Sequence, residues 1–313
     1  MNITYLFGAG ASVGTIPVVK DFIKGIKELR SILNNESTNQ NKEDLINTLH
    51  YLEKEIPSYA SIDTLIRKLH IQNNPYKVKL NAGLIAVIHY LQLIRNIDKR
   101  YDLFLGNLIN INESKISLPN NVHFVSWNYD RLFELSLCSL LHSNGDLNLV
   151  RRHINIFNNY ETTEIEENPY LIKLNGSAGA FIDMYTRNNS LENVLNDVIH
   201  NYQGAFEKKI PDALIQFAWD ENENTKMSRQ KAIEIMDQTN ILVVIGYSFP
   251  TFNRVIDKEL LRCHNKFERI VVQNTKSNID SVCDRLKALV PHTEPHRIIK
   301  ITDEDEFHMP IEI

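Results

Sequence analysis

Cysteine is scarce in this chain, and its three cysteines, Cys138, Cys263 and Cys283, lie far apart. With no CxxC pair, neither a structural zinc site nor a disulfide framework is supported. The expectation is of reduced thiols, no bound metal and a cytoplasmic protein. No run reaches the roughly 20 apolar residues that a membrane-crossing helix needs. The opening residues MNITYLFGAG lack the charged start and long apolar stretch of a secretion signal. A surplus of one charge is missing too: 34 Lys and Arg against 39 Asp and Glu leave a net charge of -5. Such a balance offers no general attraction to nucleic acid or to an anionic membrane. The cluster Arg151-Arg152-His153 reads either as a local basic patch or as a solvated strand end.

What is present is a hydrophobic content of 43% in 313 residues, enough for a proper core. ITYLF (3–7) is a short apolar run that stops at Gly8, as a buried strand does before a glycine turn. After Pro17 the period changes: Val18, Val19, Phe22, Ile23, Ile26 and Leu29 mark one face of a helix. The polar stretch NNESTNQNKED (34–44) reads as a loop. Helical patterns follow at 44–56, 62–70 and over one long segment, 79–109. Further strand-like runs are HFVSW (123–127), YLIKL (170–174), ILVVIG (241–246), RIVVQ (269–273) and the weaker RIIKI (297–301). Helical stretches separate them at 130–142, 191–203, 226–238, 251–264 and 277–289.

Continuous apolar runs suggest strands covered on both faces, and their alternation with helices argues for a parallel sheet. The fold class expected is therefore α/β, a Rossmann-like doubly wound parallel sheet in one domain spanning 1–313. A large helical insertion falls at about 18–120 and a smaller one at about 178–238.

In an open α/β sheet, ligands bind beyond the carboxyl ends of the strands. ITYLF is followed by Gly8-Ala9-Gly10-Ala11-Ser12, HFVSW by Asn128-Tyr129-Asp130, and YLIKL by Asn175-Gly176-Ser177. ILVVI precedes Gly246-Tyr247-Ser248, and RIVVQ precedes Asn274. Each has an ordinary explanation: a tight turn, a helix cap by Asp130, a strand end. Five on one rim suggest a shared site instead. Glycines let backbone N–H groups approach a pyrophosphate, while serine and asparagine suit ribose hydroxyls.

On these residues the chain resembles the sirtuin-like (silent information regulator two) family, in its bacterial NAD-hydrolysing antiphage-defence branch. The resemblance rests on Gly8-Ala9-Gly10-Ala11-Ser12 with Ile16-Pro17, on Asn128 and Asp130 of SWNYD, on Gly246 and Ser248, and on Asn274. It covers the sheet residues from about 3 to 301 but not the long helical insertion. It implies NAD as substrate, with Gly8, Ala9, Gly10 and Ser12 on the pyrophosphate and Gly246, Ser248 and Asn274 on the adenosine half. Asn128 would position ribose and water with help from Asn175, and Asp130 is a further catalytic candidate. The family also implies self-assembly and, in some members, a HerA-type hexameric ATPase partner.

This chain departs from the family in lacking the zinc-binding cysteines, and in carrying Asn175-Gly176 where the catalytic His-Gly falls. Asparagine cannot titrate, so Asn175 is no general base. That disfavours deacylation more than hydrolysis, because the nicotinamide leaves neutral and a positioned water can capture the cation left behind. If a base is used, the candidates are Asp130, His123 and His153, with Asp63 more remote. The alternative is a catalytically silent NAD or ADP-ribose binding module that regulates a partner.

Overall fold

The computed structural model describes residues 1–17, 19–36, 38–59, 62–112, 115–142, 146–158, 164–179, 190–206, 217 and 223–313. The chain opens with strand β1 (Ile3–Phe7), then helices α1 (Val19–Glu36), α2 (Lys42–Glu55), α3 (Ile62–Ile71), α4 (Lys77–Ile94) and α5 (Lys99–Leu108). A small hairpin, β2 (Asn110–Asn112) and β3 (Lys115–Ser117), leads to β4 (Val122–Ser126). Next come α6 (Leu132–Leu140), α7 (Leu147–Val150), β5 (Asn155–Phe157), β6 (Tyr170–Lys173), α8 (Leu191–Phe206) and α9 (Glu223–Gln238). The last third alternates: β7 (Ile241–Ile245), α10 (Arg254–Leu260), β8 (Arg269–Gln273), α11 (Ile279–Leu289) and β9 (Ile298–Ile301).

Seven strands form one parallel sheet in the order β5-β6-β4-β1-β7-β8-β9. This is the Rossmann-like doubly wound arrangement. The chain leaves β1 toward β4 and later returns to β1's other side to lay down β7, β8 and β9. The winding reverses between β1 and β7, whose ends are level: Phe7 is in register with both Ser126 and Ile245.

Alternation along the strands divides the core. Ile3, Tyr5 and Phe7 face one apolar cluster with Val243 and Ile245, while Leu6 faces the other with Leu242 and Val244. Both faces are covered, which is why these strands read as unbroken apolar runs. The insertion between β1 and β4 supplies one cover. Helix α4 is buried on all sides from Leu80 to Leu93, as befits a helix that is apolar all round and packed against α1, α2, α3 and α8. Helices α8 and α9 occupy the second inserted region.

Several local expectations are corrected. The segment 79–109 is two helices, since α4 stops at Ile94 and Asp98 caps α5 by accepting the Arg100 N–H. Helix α1 continues to Glu36 and α2 starts at Lys42, so the stretch 34–44 is mostly helical at its ends. The edge strand β5, the single turn α7 and the β2–β3 hairpin were not evident in the periodicity. Among the described residues, no helix is long and apolar enough to cross a membrane.

Candidate functional site

The loop after β1 is interlocked with the loop after β7. Gly8 N–H donates to the Ile245 carbonyl (3.0 Å) and Gly10 N–H to the Gly246 carbonyl (2.9 Å). A Cβ on Gly8 would lie 2.5 Å from the Tyr247 Cα, and one on Gly10 would lie 2.7 Å from the Gly246 Cα. Gly246 itself sits at φ +63, with space for a Cβ closed by the Ala11 nitrogen at 2.4 Å. These three glycines therefore have a packing reason: two backbones touch, and only glycine fits. A side chain at Gly10 would thus meet the neighbouring loop whether or not a phosphate lies beyond it.

Where the two loops diverge, a cavity of about 380 Å³ opens at the topological switch point. That volume is within the range of small-molecule and cofactor sites. Of the residues nominated by sequence, Ala9, Gly10, Gly246, Ser248 and Asn274 line it. The backbone N–H groups of Ala11 and Ser12 are consumed within the turn, by Gly8 and Ala9 carbonyls. Two arginines also line the cavity, Arg285 from α11 and Arg100 from α5. Arg285 donates to the Ser248 carbonyl (2.9 Å). Arg100 donates to the carbonyls of Gly10 (3.1 Å) and Ala11 (3.3 Å) and pairs with Asp98 (2.5 Å). Burial would raise the Asp98 carboxyl, but Arg100 and the Gly14 N–H outweigh it and hold it below its usual value. Sequence reading missed both arginines. The signal for Arg100 was the Asp98 cap two residues earlier, hidden inside an apparently continuous helix.

Gly8, Ser12, Asn128, Asp130 and Asn175 lie outside the cavity lining, on the β4–β6 side of the same rim. They form a connected buried group around the glycine loop. Asn128 is 6% exposed, and its amide nitrogen donates to the Gly8 carbonyl and the Ser12 hydroxyl, both at 3.0 Å. That commits both amide protons inward and leaves Oδ1 as the group's acceptor. Ser12 is 1% exposed and also pairs with the Tyr101 hydroxyl at 3.2 Å. Ser12, expected on the pyrophosphate, is held in an interior hydrogen-bonding network.

Asn175 donates from its amide nitrogen to the Trp127 carbonyl (2.9 Å), while its buried Oδ1 accepts no hydrogen bond. A buried acceptor left without a partner is uncommon in folded proteins and calls for a ligand or water. Asp130 accepts from the Leu132 N–H (3.1 Å), bridging the turn into α6, whose N-cap residue is Arg131. Burial raises its carboxyl above the ordinary value, opposed by Lys173, the Leu132 N–H and the Ser12 hydroxyl. Behind it, Lys173 bonds the Asp130 carbonyl, and Glu134 lies between Arg131 (3.4 Å) and Lys173 (3.9 Å). Helix α4 ties the two turns together: Gln92 accepts from Arg131 N–H (3.0 Å) and donates to the Ala178 carbonyl (3.2 Å).

The histidines are elsewhere. His123 accepts from Tyr170 N–H (3.2 Å), and burial pushes it down to about 4. His153 contacts the Ile116 carbonyl (3.0 Å) and is also lowered, chiefly by burial. Neither touches the group around Asn128. Asp63 is in α3, but its side chain lies outside those described. His89 of α4, which sequence reading passed over, is fully buried and lowered to about 3 by burial and then by Arg131. The three cysteines are free, and among the described residues no three His, Cys, Asp or Glu side chains gather as a metal site would require.

Neither the protein-family models nor the curated proteins contain a match to this chain.

Proposed function

We propose that this chain is an NAD+ glycohydrolase that cleaves NAD to nicotinamide and ADP-ribose. The observation that carries the reading is the pair of asparagines at neighbouring strand ends. Both anchor their amide nitrogens on the protein, and both keep an amide oxygen as acceptor. Two fixed acceptors suit O–H donors, namely a ribose hydroxyl and a water. We read the cavity on the same rim, which the glycine loop walls, as the dinucleotide site.

The chemistry asks little of a base. The pyridinium leaves as neutral nicotinamide, taking the electron pair of the glycosidic bond. The oxocarbenium-like carbon is then captured by water, whose O–H points at Asn128 or Asn175 Oδ1. Fixed acceptors of this kind act by orientation and by preorganised electrostatics. The water's proton passes to solvent once the new C–O bond has formed; Asp130, one hydroxyl removed through Ser12, is the candidate acceptor if a base is used.

We extend the proposal to biological role on the sequence resemblance alone: an effector of antiphage defence that depletes NAD. It would act as a homo-oligomer, under control of a partner such as a HerA-type hexameric ATPase. The second reading, a silent NAD or ADP-ribose binding module, is favoured by one observation: no described histidine contacts Asn175.

The test is nicotinamide release from NAD by the purified chain, alone and with candidate partners. Asn128→Ala should lower turnover by roughly 10²–10³, the usual cost of removing a positioned group. Asn175→His should preserve or raise it, since imidazole can take the water's proton. No turnover under any condition, with NAD affinity that survives loss of Asn128, selects the binding module.

A further inference from the structure

Arg100 reaches the cavity from the helical insertion, a part of the chain outside the glycine motif, and its hydrogen bonds are unevenly distributed. Its Nε donates to Asp98, and its Nη2 to Asp98 and to the carbonyls of Gly10 and Ala11. Its Nη1, carrying two further N–H donors, has no hydrogen-bond partner among the described residues. The guanidinium is also held over the Phe307 ring, 5.0 Å from its centroid. The side chain is 14% exposed, so the fork is fixed, yet it lines the open cavity. Meanwhile the glycine loop has spent most of its own donors: the N–H groups of Gly8, Gly10, Ala11 and Ser12 are all taken by backbone carbonyls. A diphosphate placed here would find few loop amides, and two loop carbonyls repelling it unless a cation covered them.

We propose that Arg100 is the diphosphate-binding residue of this cavity, presenting its Nη1 edge to the ligand while its Nη2 edge covers the Gly10 and Ala11 carbonyls. This rests on the dinucleotide reading of the cavity given above. Planar guanidinium suits bidentate contact with phosphate oxygens, which lysine cannot reproduce. Recognition of the diphosphate thus falls to the inserted helices more than to the glycine loop.

Calorimetry with ADP-ribose and with adenosine, on the parent chain, Arg100→Gln and Arg100→Lys, tests this. Loss of a charge-assisted hydrogen bond should weaken ADP-ribose by about ten- to a hundredfold in Arg100→Gln. Arg100→Lys should fall between the two, while adenosine, which has no phosphate, should bind all three within about twofold. Lysine keeps the charge beside Asp98, so it preserves a folded comparison if glutamine does not. Equal ADP-ribose affinity in the parent chain and in either variant overturns the proposal. So does an equal loss for adenosine and ADP-ribose, which would make Arg100 only a brace for the loop. Failure of the parent chain itself to bind ADP-ribose overturns the dinucleotide reading and this proposal with it.

Discussion

Replacing Gly246 with alanine should destabilise the fold strongly, whereas the same change at Gly106 should stabilise it. Two costs fall on Gly246. Its φ of +63 is in the left-handed region, where a side chain costs about 1–2 kcal/mol. Its Cβ would stand 2.4 Å from the Ala11 nitrogen, with Gly10 backbone atoms at 2.5 and 2.6 Å. None of these atoms ends a flexible side chain, so the loops must separate, an overpacking strain of about 1–3 kcal/mol. Together these approach 2–5 kcal/mol, a large share of the roughly 5–15 kcal/mol that holds a typical domain. At about 2–4 °C for each kcal/mol in domains of comparable size, melting should fall by at least about 4 °C. Gly106 lies inside α5, and a Cβ there meets nothing within 4 Å. Alanine at that position should gain about 0.5–1 kcal/mol from helix propensity. Thermal unfolding followed by circular dichroism compares the three proteins directly. A Gly246→Ala protein that melts at or above the parent temperature would refute the interlocked-loop account.

Asp257 is buried, and burial pushes its carboxyl up to about 8 despite hydrogen bonds from the Tyr247 hydroxyl at 3.0 Å to each oxygen. Between about pH 4 and 8 the folded chain therefore holds a proton that the unfolded chain has lost, and stability falls as pH rises through that window. Asp257→Asn should remove this slope, so its melting advantage over the parent should grow from pH 5 to 8; a constant gap contradicts the assignment. Turnover should be nearly flat from about pH 6 to 8, because His123, at about 4, stays neutral there and His153 is bonded at the Ile116 carbonyl, away from Asn128 and Asn175. A rise within that window would assign a titrating base, a histidine or Asp130 with its raised carboxyl, and remove the positioned-water mechanism.

The sheet was readable because burial on both faces leaves a mark in local sequence: ITYLF and RIVVQ became β1 and β8 with the expected ends, and ILVVIG became β7, one residue shorter. β5 left little mark, since NIF is three residues long and pairs only at the sheet edge. The residues of the rim were legible for the same reason, as each follows a strand. Their roles were less so. Gly10 looked like a phosphate contact, but the atom it makes room for belongs to Gly246, which no local pattern can indicate. Arg100 was invisible because Leu84 through Leu108 carries helical spacing on both sides of the break. Only the pairing of Asp98 with Arg100, Gly14 and the glycine loop gives that break a purpose. Gln92 and His89 were similarly hidden, being polar residues whose neighbours come from α6 and the turn after β6.

The locking of the loop after β1 to the loop after β7 also sets when the site can exist. At the base of those strands, Asn2 N–H donates to Asn240 Oδ1 across 238 positions of chain. Strand β1 sits between β4 and β7 in the sheet, so the glycine loop reaches its final shape only once both lie beside it. Contacts of such separation are slow to form, because loop closure must precede any reward from pairing. The cavity is consequently a property of the whole fold, and no fragment ending before β7 carries it. Any ligand held there stabilises the fully assembled state alone, by about 2.7 kcal/mol at a hundredfold excess over its Kd. Exchange of the Gly10 amide proton should accordingly track global unfolding, and slow further as the cavity fills.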